Sequence, residues 1–135
     1  MVLNILYGGI FPTDIAYKST STITAGTFGV ISDDNEIDIY GAAKSRADVL
    51  FLENSSDVKN PEYKISCVTG TFILETDQFV AGTYTPGNYV YIDDTTKKLI
   101  DVDGTATHTK VGVILAVGAT TITVLVQLPT WVLPA

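Results

Sequence analysis

Side chains able to do chemistry are few in this sequence. It holds one His and one Cys. A Ser-His-acid triad would rest on His108, which stands between Thr107 and Thr109 in a polar connector, and no G-x-S-x-G elbow surrounds any Ser. One imidazole excludes every site that needs two, and one thiol excludes an internal disulfide framework and a Cys-based zinc cluster. Cys67 falls in Lys64-Ile65-Ser66-Cys67-Val68, which reads as a strand, where a free thiol behaves as a small hydrophobe. Carboxylates cluster at Asp33-Asp34-Asn35-Glu36, at Asp93-Asp94 and at Asp101-Val102-Asp103-Gly104. Calcium takes six to eight oxygen ligands, and none of these runs matches the twelve-residue binding loop. Asp in turns, bonded to its own backbone, accounts for each of them, including any pair that might be drawn as glycosidase carboxylates. The glycines form neither a P-loop nor a dinucleotide fingerprint. Tyr84, Tyr89 and Tyr91 have rings that stack on sugars or bases, but on strands they read as core or subunit contacts. The expectation is a protein with no catalytic residues, no cofactor and no metal.

Composition sets the frame for that absence. Lys and Arg number 8 against 15 Asp and Glu, for a net charge of −7 and a pI near 4.4. A binder of nucleic-acid phosphates needs a basic patch, so nucleic acid is not expected as a partner. Hydrophobic residues make up 46% and charged residues 17%, against roughly 25% charged in average soluble proteins, which excludes intrinsic disorder. The 135 residues suit one domain with arms. Met1-Val2-Leu3-Asn4-Ile5-Leu6 lacks a basic stretch and a small-residue cleavage site, so no secretory leader is expected. Asn54-Ser55-Ser56 is then a polar loop rather than a glycosylation site. Val111–Ala135 carries no charge, but Gly118-Ala119-Thr120-Thr121 interrupts it and Pro129 and Pro134 close it, so no membrane span is expected.

Thr is the commonest residue, followed by Val and Ile. Their branched Cβ favours a pleated strand over a helix. Short apolar runs separated by Gly, Pro, Asn and Asp predict an all-β protein, a small antiparallel barrel or sandwich built of hairpins. One hairpin is predicted from 110–117 and 122–128 around Gly118–Thr121. Val111, Val113, Leu115 and Val117 are expected on one face with Ile122, Val124, Val126 and Leu128, forming a core surface. The opposite face, with Gly112, Ile114, Ala116, Thr123, Leu125 and Gln127, is uncharged and half apolar, so something should cover it. Further hairpins are predicted from 89–92 and 98–102, from 27–31 and 36–40, and from 63–68 and 71–74 across Thr69-Gly70. Asp48–Glu53 reads as a buried strand. Gly41–Ala47 is the one helix-favouring stretch, too short to be stable alone.

The two ends differ from the middle. Residues 1–25 carry Tyr7, Ile10, Phe11, Ile15 and Tyr17 without a clean period and read as an N-terminal arm that packs on a partner or wraps its own barrel. Residues 26–128 form the barrel domain. The tail, 129–135, is apolar and Pro-spaced around Trp131. Apolar termini of this kind are hard to place on a solitary monomer. Tyr7, Ile10, Phe11, Ile15, Tyr17 and Trp131 are therefore the expected partner-binding residues.

Phe79-Val80-Ala81-Gly82-Thr83-Tyr84-Thr85-Pro86-Gly87-Asn88-Tyr89-Val90-Tyr91-Ile92 is followed by Lys98-Leu99-Ile100, then by Lys110-Val111-Gly112-Val113-Ile114-Leu115-Ala116-Val117 and Thr121–Leu128. This succession resembles the small β-barrel decoration, or cement, proteins of tailed-bacteriophage capsids. The likeness is one of spacing and residue type and covers Phe79 to Leu128; Gly26-Thr27-Phe28-Gly29-Val30 matches loosely. The resemblance implies a non-enzymatic virion protein, made in the host cytoplasm, that binds the capsid exterior. Its partner would be the major capsid protein and its state a homo-oligomer, often a trimer. A tail, neck or fibre-base component of the virion is the alternative, and a carbohydrate-binding module the third reading.

Overall fold

The computed structural model describes residues 1–12, 16–17, 21–32, 36–41, 46–59, 62–101 and 109–130. Strands hold 49% of the described residues and helix 3%. The protein is all-β, as its Thr, Val and Ile content predicts. The strands are β1 (Leu3–Ile10), β2 (Phe28–Ile31), β3 (Ile37–Ile39), β4 (Val49–Phe51), β5 (Cys67–Thr76), β6 (Tyr89–Ile92), β7 (Leu99–Ile100), β8 (Lys110–Val117) and β9 (Ile122–Leu128), with a single 3-10 turn at Ser55–Asp57. They pair antiparallel in the order β3-β2-β4-β5-β9-β8-β6-β7, and β1 joins β5 as well. Among the described residues no helix is long and apolar enough to cross a membrane.

The sheet curls into a half-barrel around one core. Phe28, Leu50, Phe72, Leu74, Val90, Ile92, Ile114, Val124 and Val126 are buried inside it. Each such side chain contributes roughly 1.5–3 kcal/mol relative to exposure. The curl brings distant ends of the sheet together. The Phe28 N–H donates to the Lys97 carbonyl (3.0 Å), and the Tyr40 and Thr109 hydroxyls share a buried hydrogen bond of 2.7 Å. A smaller cluster of Tyr17, Ile23, Ile37, Val49, Phe51, Ile65 and Cys67 packs on the other side of β4. β4 is thus buried on both faces, Leu50 in one cluster and Val49 and Phe51 in the other, which is the buried strand read at Asp48–Glu53.

The hairpins β2–β3, β6–β7 and β8–β9 form where the sequence places them. Three expectations change. First, residues 63–68 and 71–74 do not pair across Thr69-Gly70: β5 runs straight through from Cys67 to Thr76. Gly70, at φ +84°, takes the positive angle inside the strand instead of in a turn. Second, Val111, Val113, Leu115 and Val117 do not share a core face. Val111 and Ile114 are buried, whereas Leu115 and Val117 are 44% and 45% exposed. The registers Val90↔Gly112 and Tyr91↔Lys110, then Ile114↔Val124 and Ala116↔Thr123, make Val111 and Leu115 extra residues in β8. Two bulges therefore reset the alternation. Third, of the two outcomes for the N-terminal arm, residues 3–10 take the second and add β1 to their own sheet, where Leu3 and Ile5 pack on the core. Its lost period has the same cause. Leu6 is an extra residue between Ile5↔Leu74 and Tyr7↔Ile73, and the register shifts again between Gly8 and Ile10. The expected helical stretch at Gly41–Ala47 and the turn at Asp33–Asn35 fall largely or wholly outside the described residues.

Candidate interaction surface

Strand register builds the main feature of the surface. Tyr7 lies opposite Ile73, Ile73 opposite Leu125, Leu125 opposite Val113, and Val113 opposite Tyr89. The pleat puts these side chains on the face away from the core, because their neighbours Phe72, Leu74, Val124, Val126 and Val90 point inward. The result is one apolar row crossing β1, β5, β9, β8 and β6. Tyr7 is 76% exposed, Tyr89 51% and Leu125 39%. The Leu115 bulge adds a further side chain to the same face. Asn4, Glu75, Thr123 and Ala116 form the polar row on one flank, in register, with Asn4 Nδ2 donating to Glu75 Oε1 at 3.1 Å. On the other flank Thr71, Gln127, Lys110 and Pro129 line a shallow groove of about 240 Å³ that reaches Tyr89 and Leu125. Lys110 Nζ sits 3.8 Å from the centre of the Tyr89 ring, which holds its charge over the aromatic face. Of the face expected from the β8–β9 hairpin, Ala116, Thr123, Leu125 and Gln127 lie here, whereas Gly112 and Ile114 turn to the core because the bulges shift their alternation, and Lys110 and Glu75 give the face charge at its two ends.

β1 is the second feature. Among the described residues β5 is its one strand partner, so no described strand pairs with its outer edge. Leu3 to Phe11 contains no charged residue and no Pro, which are the usual devices that keep an edge from pairing. The start of β1 is pinned: the Val2 N–H donates to Asp77 Oδ1 at 2.9 Å and the Asp77 N–H to the Val2 carbonyl at 3.1 Å. Hydrogen bonds from the Gln78 side chain and the Val2 backbone hold the Asp77 carboxyl below the ordinary carboxylate range. Gly8 and Gly9, at φ +76° and +90°, let the strand lie close on β5; a Cβ at Gly8 would come within 2.5 Å of the Thr71 carbonyl oxygen.

The expected partner-binding residues separate by position. Tyr7, Ile10 and Phe11 are 76%, 65% and 51% exposed along β1 and just past it. Phe11 and Pro12 also form one wall of a groove of about 380 Å³ with Leu52, Glu53 and Ile65. Tyr17 is buried, its ring edge-on to Tyr63 at 5.6 Å, and belongs to the smaller core. Its side chain is therefore not available to a partner, because closing that cluster already covers it. Ile15 and Trp131 lie outside the described residues. The sequence missed Val113, Tyr89 and Ile73 as members of one patch, since only the cross-strand register unites them.

The candidate chemical groups are placed otherwise. Cys67 is buried, and burial pushes its thiol up to about 11. Asp93 Oδ2 accepts from both the Thr96 N–H and hydroxyl at 2.8 Å and so serves its own turn, while Asp101 Oδ2 accepts from the Thr83 N–H at 3.0 Å and ties the end of β7 to that distant loop. Among the described residues no group of three or more His, Cys, Asp or Glu side chains is placed to hold a metal ion. His108, Asp33, Asp34 and Asp103 lie outside the described residues. Comparison of the chain with protein-family models and with curated proteins finds no match.

Proposed function

We propose that the chain is a non-enzymatic structural protein of a tailed-bacteriophage virion, which docks on the capsid exterior through its N-terminal strand and stabilises the shell. The observation that carries this reading is the uncharged β1 edge, with which no described strand pairs, and Tyr7, Ile10 and Phe11 exposed beside it. An extended segment of the major capsid protein adds to such an edge through backbone hydrogen bonds, and the exposed side chains supply apolar area. Binding the assembled shell and not its parts stabilises the assembly by mass action. A net charge of −7 suits the outside of a shell better than contact with packaged DNA. The likeness of Phe79–Leu128 to decoration proteins supports the same reading.

The test is cosedimentation of the purified chain with heads, and separately with tails, of the phage that encodes it. Binding to heads is expected. Ile10→Ser with Phe11→Ala should weaken it at least about tenfold, since these two exposed side chains supply large apolar area at the end of the docking edge, while the melting temperature stays near that of the parent chain. Binding to tails alone, or head binding indifferent to the double substitution, would overturn the reading.

A further inference from the structure

We propose that two copies of the chain pack the outer sheet face against itself, about a twofold axis lying along the Ile73–Leu125–Val113–Tyr89 row. This goes beyond docking on a shell and concerns a different surface from the Ile10–Phe11 edge. Three observations carry it. The row is continuous through four hydrogen-bonded strands, so it is one unbroken apolar stripe rather than scattered side chains. Sheets that present such stripes pack about 10 Å apart with their side chains interleaved. Tyr89, Leu115 and Leu125 are 51%, 44% and 39% exposed on this face, with Thr71, Gln127 and Lys110 exposed around them, and this is the uncovered surface that a second sheet would bury.

Charge then selects a second copy as the occupant and fixes the direction of packing. On this face Lys110 stands at one end of the strands and Glu75 at the other, with the apolar row between them. A twofold axis along the row runs the two sets of strands in opposite directions. It sets the basic end of one copy over the acidic end of the other, twice. An axis along the strands would set like charge on like. The patch is complementary to itself in one orientation, which is what an isologous interface requires.

Sedimentation equilibrium of the full chain at low salt tests this, with circular dichroism to confirm folding of each variant. The parent chain is expected to be a dimer. Leu125→Arg, on an outward-facing position, should give a folded monomer. Glu75→Lys and Lys110→Glu alone should each raise the dimer dissociation constant at least about tenfold, and the double exchange should restore it, because like charges brought together at an interface are costly. A monomer or trimer as the parent state overturns the proposal. So does a dimer indifferent to Leu125→Arg, or a double exchange no better than its parts. Loss of the dimer on removing residues 131–135, with no effect of Leu125→Arg, would assign association to the tail and overturn it as well. A monomeric parent that still binds heads, and loses them on Leu125→Arg, would give the face to the shell, so failure here is separable from failure of the docking reading.

Discussion

Asp48 shows how one polar side chain settles a strand boundary. It is buried at the entrance to β4, yet both its oxygens are used. Oδ2 accepts from the Ile31 N–H at 2.7 Å, and Arg46 Nε reaches both oxygens at 3.2 Å. Arg46 also donates to the Ile31 carbonyl at 3.0 Å, so the pair ties the end of β2 to the start of β4. A buried charge persists only when it is paired in this way. Cys67 is the opposite case, a buried group with no polar task. Desolvation disfavours its thiolate and lifts its pKa from 9.0 to about 11. The unfolded chain ionises first as the pH rises, so the contribution of this thiol to stability is whole below pH 9 and is lost between pH 9 and about 11. Iodoacetamide at pH 8 should leave Cys67 unmodified in the native protein and label it rapidly in urea. The urea midpoint of the parent chain should fall more steeply between pH 9 and 11 than that of Cys67→Ala. Rapid native labelling would show the thiolate to be accessible.

Elements carry the difference between what the sequence displays and what it conceals. The β8–β9 hairpin was legible because Ile122, Val124, Val126 and Leu128 alternate without interruption and all four are buried. Its partner strand was legible as a strand but not by face. Nothing local marks Val111 or Leu115 as extra residues; the registers of β6 and β9 decide that. Gly70 was misread because a glycine between apolar runs signals a turn as readily as a strand held at positive φ. β1 was legible only as an apolar segment, since its pairing with β5 joins residues from 59 to 73 positions apart in the chain. The apolar character of Tyr7, Ile10 and Phe11 could be read from type alone, but that these three are exposed and Tyr17 is buried could not be told without their contacts. Gly112 shows how tightly the elements fit. It sits on the inner face between Val90 and Val126 in register, and a Cβ there would run into the Leu125 carbonyl oxygen. Backbone rather than a pliable side chain would have to yield, so Gly112→Ala should cost about 3 kcal/mol, the upper part of the overpacking range. Urea denaturation measures it. A loss under about 0.5 kcal/mol would mean that β8 and β9 separate freely, contrary to their close pairing.

Across the whole molecule, a curled sheet has to hold its far ends together, and the seam here is polar and small. β2 and β3 meet the β6–β8 side through the Phe28 N–H to Lys97 carbonyl bond, the Lys97 ammonium 5.9 Å from the Tyr40 ring centre, and the Tyr40–Thr109 hydroxyl pair. The apolar core would be buried by a flatter sheet only in part, so the seam converts a two-faced sheet into a container for Phe72, Leu74 and Val124. Tyr40 is fully buried and Thr109 is 5% exposed, and neither hydroxyl has bulk water as a substitute partner. Removing one hydroxyl leaves the other to bear its desolvation. Tyr40→Phe should therefore destabilise the chain by about 1–2 kcal/mol, while Thr109→Val with Tyr40→Phe should recover part of that loss, because apolar groups of similar shape then replace both partners. Hydrogen exchange locates the effect. Amides at the seam, Phe28 and Tyr40, should open at lower free energy in Tyr40→Phe, and the amides between β5 and β9 should keep their parent protection. Uniform loss across β5 and β9 would mean that the curl and the central sheet open as one unit, and the seam would then be a part of the core rather than its clasp.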